Sequence, residues 1–175
     1  HSDFTLFVNN KGESKIRQGI TTEVVGNCGF TAAPVTTEHF DDLLQYLANT
    51  VVLKDEQKLN WKWSSQTEFL NNFSKDGLSF NIAPLVGHGT IRVAVMGFNR
   101  RKPTQEELNA MKSLIINEME NGLFGLSTGL EYEPGSYTKI EEIIEMCKIV
   151  KKYNGVYTTH MKNEGRYGLD CIKEA

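Results

Sequence analysis

The stretch that decides the fold is residues 123–160, which read LFGLSTGLEYEPGSYTKIEEIIEMCKIVKKYNGVYTTH. A short apolar segment at 123–126 precedes a polar loop at 127–135, and a helical pattern begins at Thr138. The residues at 156–159 are of the β-branched and aromatic kinds that favour strands, and His160 stands at their exit. Strand, loop, helix and strand in this order form the unit from which parallel sheets are built, so the stretch predicts an α/β fold.

The helix of this unit is amphipathic. Lysines in its last turn complement the helix dipole, and Gly155 follows as a stop signal. The residues expected to face inward recur at helical spacing and are Ile140, Ile143, Ile144 and Cys147.

The rest of the chain repeats the alternation of strands and helices. Residues 20–25 predict a strand that ends at the loop Gly26-Asn27-Cys28-Gly29, and residues 37–48 predict a helix. Residues 80–86 predict a second strand, which Pro84 weakens because proline cannot donate to a ladder. Capping boxes at 65–68 and 104–107 open two more helices, and a last helix begins at 169–175. A parallel sheet with right-handed crossovers follows, but this pattern does not distinguish an open sheet from a closed barrel.

Composition and charge narrow the possible partners. The 175 residues include 19 Lys and Arg against 22 Asp and Glu, so no broad attraction to nucleic acid or to an anionic membrane is expected. No apolar run approaches the roughly 20 residues of a membrane span, and the first residues lack the pattern of a signal peptide. Three widely spaced cysteines indicate neither a disulfide framework nor a zinc finger. We expect a soluble, cytoplasmic protein that binds neither nucleic acid nor a membrane.

The unusual residues fall at strand ends. His1, Cys28, His88 and His160 each lie at or just past such an end, and ligands of α/β folds bind at that edge of the sheet. A thiolate together with imidazoles suits Zn²⁺, although iron, cobalt or nickel would accept the same donors. Taken singly, Cys28 is more often a small core residue, and His160 a hydrogen-bonded histidine at a strand end.

Four blocks of the sequence carry a family resemblance. They are GITTEVVGNCG at 19–29, GHGTIR at 87–92, GLSTGLEYEPG at 125–135 and THMKNE at 159–164. In this order they resemble the successive blocks of the D-aminoacylases, the N-acyl-D-amino-acid deacylases of the amidohydrolase superfamily. The resemblance implies a metal-dependent (β/α) barrel of TIM type joined to a small β domain. Residues 1–175 would form one partial catalytic domain with about the first five βα units of the barrel, which needs roughly 250 residues when complete.

The resemblance also implies roles for individual residues. Cys28, His160 and His1 are expected to be zinc ligands, and Tyr132 is expected to contact the substrate unless it is simply an exposed loop aromatic. His88 is a second candidate for substrate contact, with the orientation of a neighbouring loop as an equally good interpretation. The family's catalytic aspartate would lie beyond Ala175, so no catalytic residue is assigned here and the chain by itself is expected to be inactive.

The implied reaction is hydrolysis of the amide bond of an N-acyl-D-amino acid by metal-activated water, which releases a carboxylate and a free D-amino acid. One alternative is a cyclic-amide hydrolase of the dihydroorotase or hydantoinase kind, but those relatives often use a carboxylated lysine and no strand-end lysine is present in an equivalent place. Another alternative is a module that binds a metal or a partner without catalysis.

Overall fold

The computed structural model describes residues 2–6, 9–48, 61–73 and 77–174. Within them, four parallel strands form one sheet in the order β1-β2-β3-β4. The strands are β1 (Thr22–Val25), β2 (Asn81–Gly87), β3 (Gly125–Gly129) and β4 (Val156–His160). The sheet curls into a half-barrel, which confirms the predicted α/β class and the partial barrel of TIM type.

Helices precede, connect and follow the strands. They are α1 (Ser2–Thr5), α2 (Glu13–Ile16), α3 (Phe40–Leu47), α4 (Gln66–Asn71), α5 (His88–Met96), α6 (Gln105–Glu120), α7 (Ile140–Lys152) and α8 (Gly168–Glu174), with a 3-10 turn at Gly135–Tyr137. Both predicted capping boxes are present, because the hydroxyls of Ser65 and Thr104 accept hydrogen bonds from the third backbone N–H of α4 and α6. Among the described residues, no helix combines the length and the apolar character that crossing a membrane requires.

Helix α5 was not predicted. It begins directly at the end of β2, where the sequence suggested a loop around His88. Eight of its nine residues are buried, so the helix shows no polar face and lacks the periodicity by which an amphipathic helix is recognised.

Two other details differ from the predictions. Helix α7 begins at Ile140 after Lys139 rather than at a Thr138 cap, and its Ile144 is 46% exposed instead of facing inward. Strand β3 extends to Gly129, so that Ser127 and Thr128 belong to the strand and not to the loop. Both hydroxyls are fully buried there, and this placement builds the site described below.

Two clusters of buried residues hold the sheet between its layers. One packs Phe30, α3 and α4 together and centres on aromatic rings such as Trp63 and Phe69. The other packs α5, α6 and α7 against Val86 of β2 and Leu126 of β3. The sheet is therefore packed against buried side chains of both clusters.

Candidate metal and substrate site

Cys28 lies in a tight loop that immediately follows β1. Its φ of 57° is in the left-handed region, and Gly26 and Gly29 on either side have φ values of 79° and 77°. A residue with a Cβ loses roughly 1–2 kcal/mol in this conformation, so the surrounding structure must hold the loop in place. Such strained backbone is concentrated at functional sites in proteins. Here the enforced conformation of Cys28 sets the direction in which its thiol leaves the backbone.

Glycines let this loop pass close over the ends of the neighbouring strands. A Cβ at Gly87 of β2 would overlap the backbone of Gly29, and a Cβ at Gly129 of β3 would overlap the carbonyl of Cys28. The Cys28 loop therefore lies across the ends of β2 and β3, and no larger residue fits at either position without a backbone shift.

Hydrogen bonds from three other elements hold the same loop. The hydroxyl of Ser127 accepts from the N–H of Gly29 at 3.0 Å and donates to the carbonyl of Gly26. The carbonyl of Gly29 accepts from the N–H of Thr90 at 3.1 Å and from the buried Oη of Tyr46 at 3.0 Å. The loop is thus tied to β3, α5 and α3 at once.

His160, the last residue of β4, is the second predicted metal ligand that the structure describes. Its Nδ1 lies 3.3 Å from Oη of Tyr132, and its Nε2 lies 3.0 Å from Oε2 of Glu131 and 3.7 Å from Oε1 of Glu164. The Tyr132 ring also packs against Phe30, two residues after Cys28, with ring centroids 5.3 Å apart. Tyr132 is therefore the group that links the Cys28 loop to His160.

The electrostatic environment of these groups is negative. Burial raises the pKa of the Cys28 thiol, and the charge of Glu164 raises it further. The pKa of Tyr132 is also raised, first by desolvation and then by Cys28, Glu131 and Glu164. Burial is the largest cause of both pKa shifts, and the nearby carboxylates add to it.

The two predicted donors fit a zinc ion in chemical type. A histidine that ligates a metal commonly donates its other ring N–H to a carboxylate, and Glu131 is placed to accept from Nε2 of His160. Among the described residues, no three His, Cys, Asp or Glu side chains lie close enough together to form a metal site by themselves. His1, the third predicted ligand, lies outside the described residues.

His88 is placed away from this group. It is fully buried at the start of α5, where its Nε2 lies 2.9 Å from Oε1 of Glu142. Arg92 donates to both oxygens of the same carboxylate at 2.9 and 2.7 Å. Burial by itself would raise the pKa of Glu142, but His88 and Arg92 together lower it. This buried ion-pair network matches the orienting role that was the alternative for His88.

The other two cysteines lie elsewhere. Cys147 and Cys171 are both half-buried. Both line a largely apolar cavity of about 320 Å³ between α7, β4 and α8. They provide convenient internal references for experiments on Cys28.

Comparisons with curated proteins agree with this arrangement, although no protein-family model matches the chain. A D-aminoacylase from Alcaligenes xylosoxydans xylosoxydans is 33% identical over 174 residues, which cover 99% of this chain and 34% of that protein. An N-acyl-D-aspartate deacylase from the same organism is 32% identical over 176 residues, which cover 100% of this chain and 34% of that protein.

Solved structures show the same likeness in the backbone. A crystal structure of D-aminoacylase, described as defining a novel subset of amidohydrolases, matches with a TM-score of 0.81 and 32% identity over 99% of this chain and 35% of that one. An N-acyl-D-glutamate deacylase from Bordetella bronchiseptica, complexed with zinc and a phosphonate that mimics the tetrahedral intermediate, matches with a TM-score of 0.81 and 27% identity over the same shares. The chain spans about a third of the length of these relatives. Over that third, the chain is similar in sequence and in backbone to D-aminoacylase and to the N-acyl-D-aspartate and N-acyl-D-glutamate deacylases.

Proposed function

We propose that the protein to which these residues belong hydrolyses the amide bond of N-acyl-D-amino acids, with zinc as its metal, and that these 175 residues form part of its barrel domain. The observation that carries the proposal is the likeness to D-aminoacylase over 99% of this chain. In this chain Cys28 follows the end of β1, and His160 lies at the end of β4 beside Tyr132. The products would be a carboxylate and a free D-amino acid.

Cys28 and His160 would hold the metal, with His1 as a further ligand. When bound, zinc supplies a water whose pKa is lowered to about 7 and polarises the carbonyl that this water attacks. A cysteine thiol is mostly protonated at neutral pH, and burial raises the pKa of Cys28 further, so Sγ would give up its proton on becoming a ligand and metal binding should release protons.

The neighbouring residues have separate tasks. Glu131 lies 3.0 Å from Nε2 of His160 and would accept a hydrogen bond from it; in that tautomer the lone pair of Nδ1, on the side of Tyr132, would be left for the metal. Tyr132 is 37% exposed, so its hydroxyl can reach a substrate and donate a hydrogen bond to the acyl amino acid.

Metal content tests the assignment of Cys28. The full protein and its variants Cys28→Ala and Cys147→Ala would be purified and their zinc measured by mass spectrometry. We expect roughly one zinc per chain in the wild type and in Cys147→Ala, and a clear loss in Cys28→Ala. Equal zinc in all three proteins would show that Cys28 is structural and that the metal site is wrongly assigned.

A substrate panel tests the reaction. N-acetyl-D-amino acids with apolar and acidic side chains, their L-enantiomers and a hydantoin would be compared by the rate of amide hydrolysis. We expect hydrolysis of D-substrates, with the L-forms and the cyclic amide much slower. Preference for the hydantoin would favour the cyclic-amide alternative instead.

A further inference from the structure

We infer that Ser127 is a positioning residue that sets the direction of the Cys28 thiol. The inference rests on the proposed function in that Cys28 is taken to be a metal ligand. Its structural part, the control of the Cys28 loop by Ser127, can be tested without any metal.

The hydroxyl of Ser127 bridges the two ends of the four-residue loop that contains Cys28. It accepts from the N–H of Gly29 at 3.0 Å and donates to the carbonyl of Gly26. A serine hydroxyl has one proton and two lone pairs, so one atom can serve both groups at once. Ser127 is fully buried, so water cannot easily replace it in either hydrogen bond.

This bridge spans Cys28, whose backbone has a positive φ although the residue carries a Cβ. Cys28 has a φ of 57°, a region that residues with a Cβ leave when they are free to do so. Asn27 and Cys28 lie between the two bridged groups, and the Cys28 carbonyl is pressed against Gly129. If the bridge is lost, the loop can relax towards negative φ, and the direction of Sγ then changes.

The adjacent strand residue provides a matched control. Thr128 carries a second fully buried hydroxyl, which lies within hydrogen-bond distance of Tyr157 Oη at 2.9 Å and of Thr159 Oγ1 at 2.8 Å. Successive residues of a strand point to opposite faces, so the Thr128 side chain contacts β4 and not the Cys28 loop. Thr128→Val removes a buried hydroxyl from the same strand without touching the bridge.

The first measurement uses metal-free protein. Alkylation of the full protein by iodoacetamide would be followed at Cys28 by peptide mass spectrometry, with Cys147 as the internal reference. We expect Cys28 to react severalfold faster in Ser127→Ala than in the wild type or in Thr128→Val, because the released thiol becomes more accessible. Ser127→Thr keeps the hydroxyl and should return the rate towards that of the wild type.

The second measurement is a titration with Co²⁺, whose thiolate charge-transfer absorbance reports on Cys28 directly. We expect Ser127→Ala to bind Co²⁺ about 10- to 100-fold more weakly than the wild type, which is the usual cost of removing a group that supports a metal ligand. Thr128→Val should bind as the wild type does.

Equal alkylation of Cys28 in Ser127→Ala and in the wild type would overturn the inference, as would equal changes in Thr128→Val and Ser127→Ala. If the wild type shows no cobalt–thiolate absorbance, the proposed metal site fails, while the alkylation rates still decide the role of Ser127. Should Ser127→Ala not fold, Tyr46→Phe replaces it, because this variant removes the Tyr46 hydrogen bond to the Gly29 carbonyl and keeps the ring stacked on Phe30. Its effect should be smaller and in the same direction, and no effect would count against the inference.

Discussion

Tyr132 and His160 meet edge to face, with ring centroids 4.8 Å apart at an angle of 75° and with Tyr132 Oη 3.3 Å from His160 Nδ1. The phenol therefore lies beside the nitrogen that would face the metal, and its ring rests on Phe30. One aromatic side chain thus spans the space between the ends of β1 and β4.

Tyr132→Phe should separate substrate contact from packing. The variant keeps both ring contacts and removes one hydrogen-bond donor, so we expect kcat/KM for an N-acyl-D-amino acid to fall roughly five- to thirtyfold, which corresponds to about 1–2 kcal/mol. The zinc content should not change. Steady-state kinetics together with metal analysis check this, and an unchanged kcat/KM would show that Tyr132 is a packing residue only.

Gly129→Ala should disturb the Cys28 loop from the side of β3. The added methyl would overlap the Cys28 carbonyl, and we expect a loss of about 1–3 kcal/mol in the free energy of unfolding together with weaker zinc binding. Gly168→Ala is the control, because a Cβ there meets its nearest neighbour at an ordinary 3.8 Å. Urea unfolding and zinc analysis of both variants measure these effects. Equal unfolding free energies and equal zinc contents in the two variants would contradict the close contact between Gly129 and the Cys28 carbonyl.

Arg92→Met should be strongly destabilising. Arg92 is fully buried and pairs with Glu142, so its removal leaves a buried carboxylate with only the hydrogen bond to His88 and should cost about 3–5 kcal/mol. The double variant Arg92→Met/Glu142→Met should recover much of that loss, since no buried charge then remains unpaired. In contrast, Arg100→Met breaks a pair whose side chains are 72% and 52% exposed and should have a much smaller effect. Urea denaturation followed by circular dichroism gives all three comparisons.

Glu118 should make stability fall as the pH rises. Burial raises the pKa of Glu118 from 4.5 to about 7. The hydrogen bond that its carboxylate accepts from the backbone N–H of Gln66, at 3.1 Å, acts in the opposite direction. Between these two pH values the folded state keeps a proton that the unfolded state has lost, so stability decreases across the window by up to about 3 kcal/mol and is level above it.

Glu118→Gln should therefore reduce the difference in unfolding free energy between pH 4.5 and pH 7.5. Part of the slope should remain in the variant, because burial also raises the pKa of Asp3, to about 6. Urea midpoints at both pH values measure the effect, and an identical fall in wild type and variant would show that Glu118 does not titrate in this range.

Features that depend on neighbouring residues could be predicted from the sequence. The positions of Cys28 in a glycine-rich loop and of His160 at the end of a β-branched run are local patterns, and the four strands and both capping boxes are local as well. The resemblance added the role of Tyr132, which the structure places against His160.

Features that depend on distant partners could not be found in this way. Helix α5 forms because it is buried on nearly every side, against the low helix propensity of its glycine and its β-branched residues. The contact of His88 with Glu142 joins residues 54 positions apart, and nothing near either of them signals it. Ser127 looked like a loop residue, and only the length of β3 reveals what its hydroxyl touches.

The bridge between Gly29 and Ser127 joins residues 98 positions apart in the chain. At a synthesis rate of about 5–20 residues per second, the ribosome makes the hydroxyl roughly 5 to 20 s after the loop that it holds. During that interval the Cys28 loop lacks the contact that fixes its shape. The loop can therefore take the conformation described here only after β3 has left the ribosome and paired with β2.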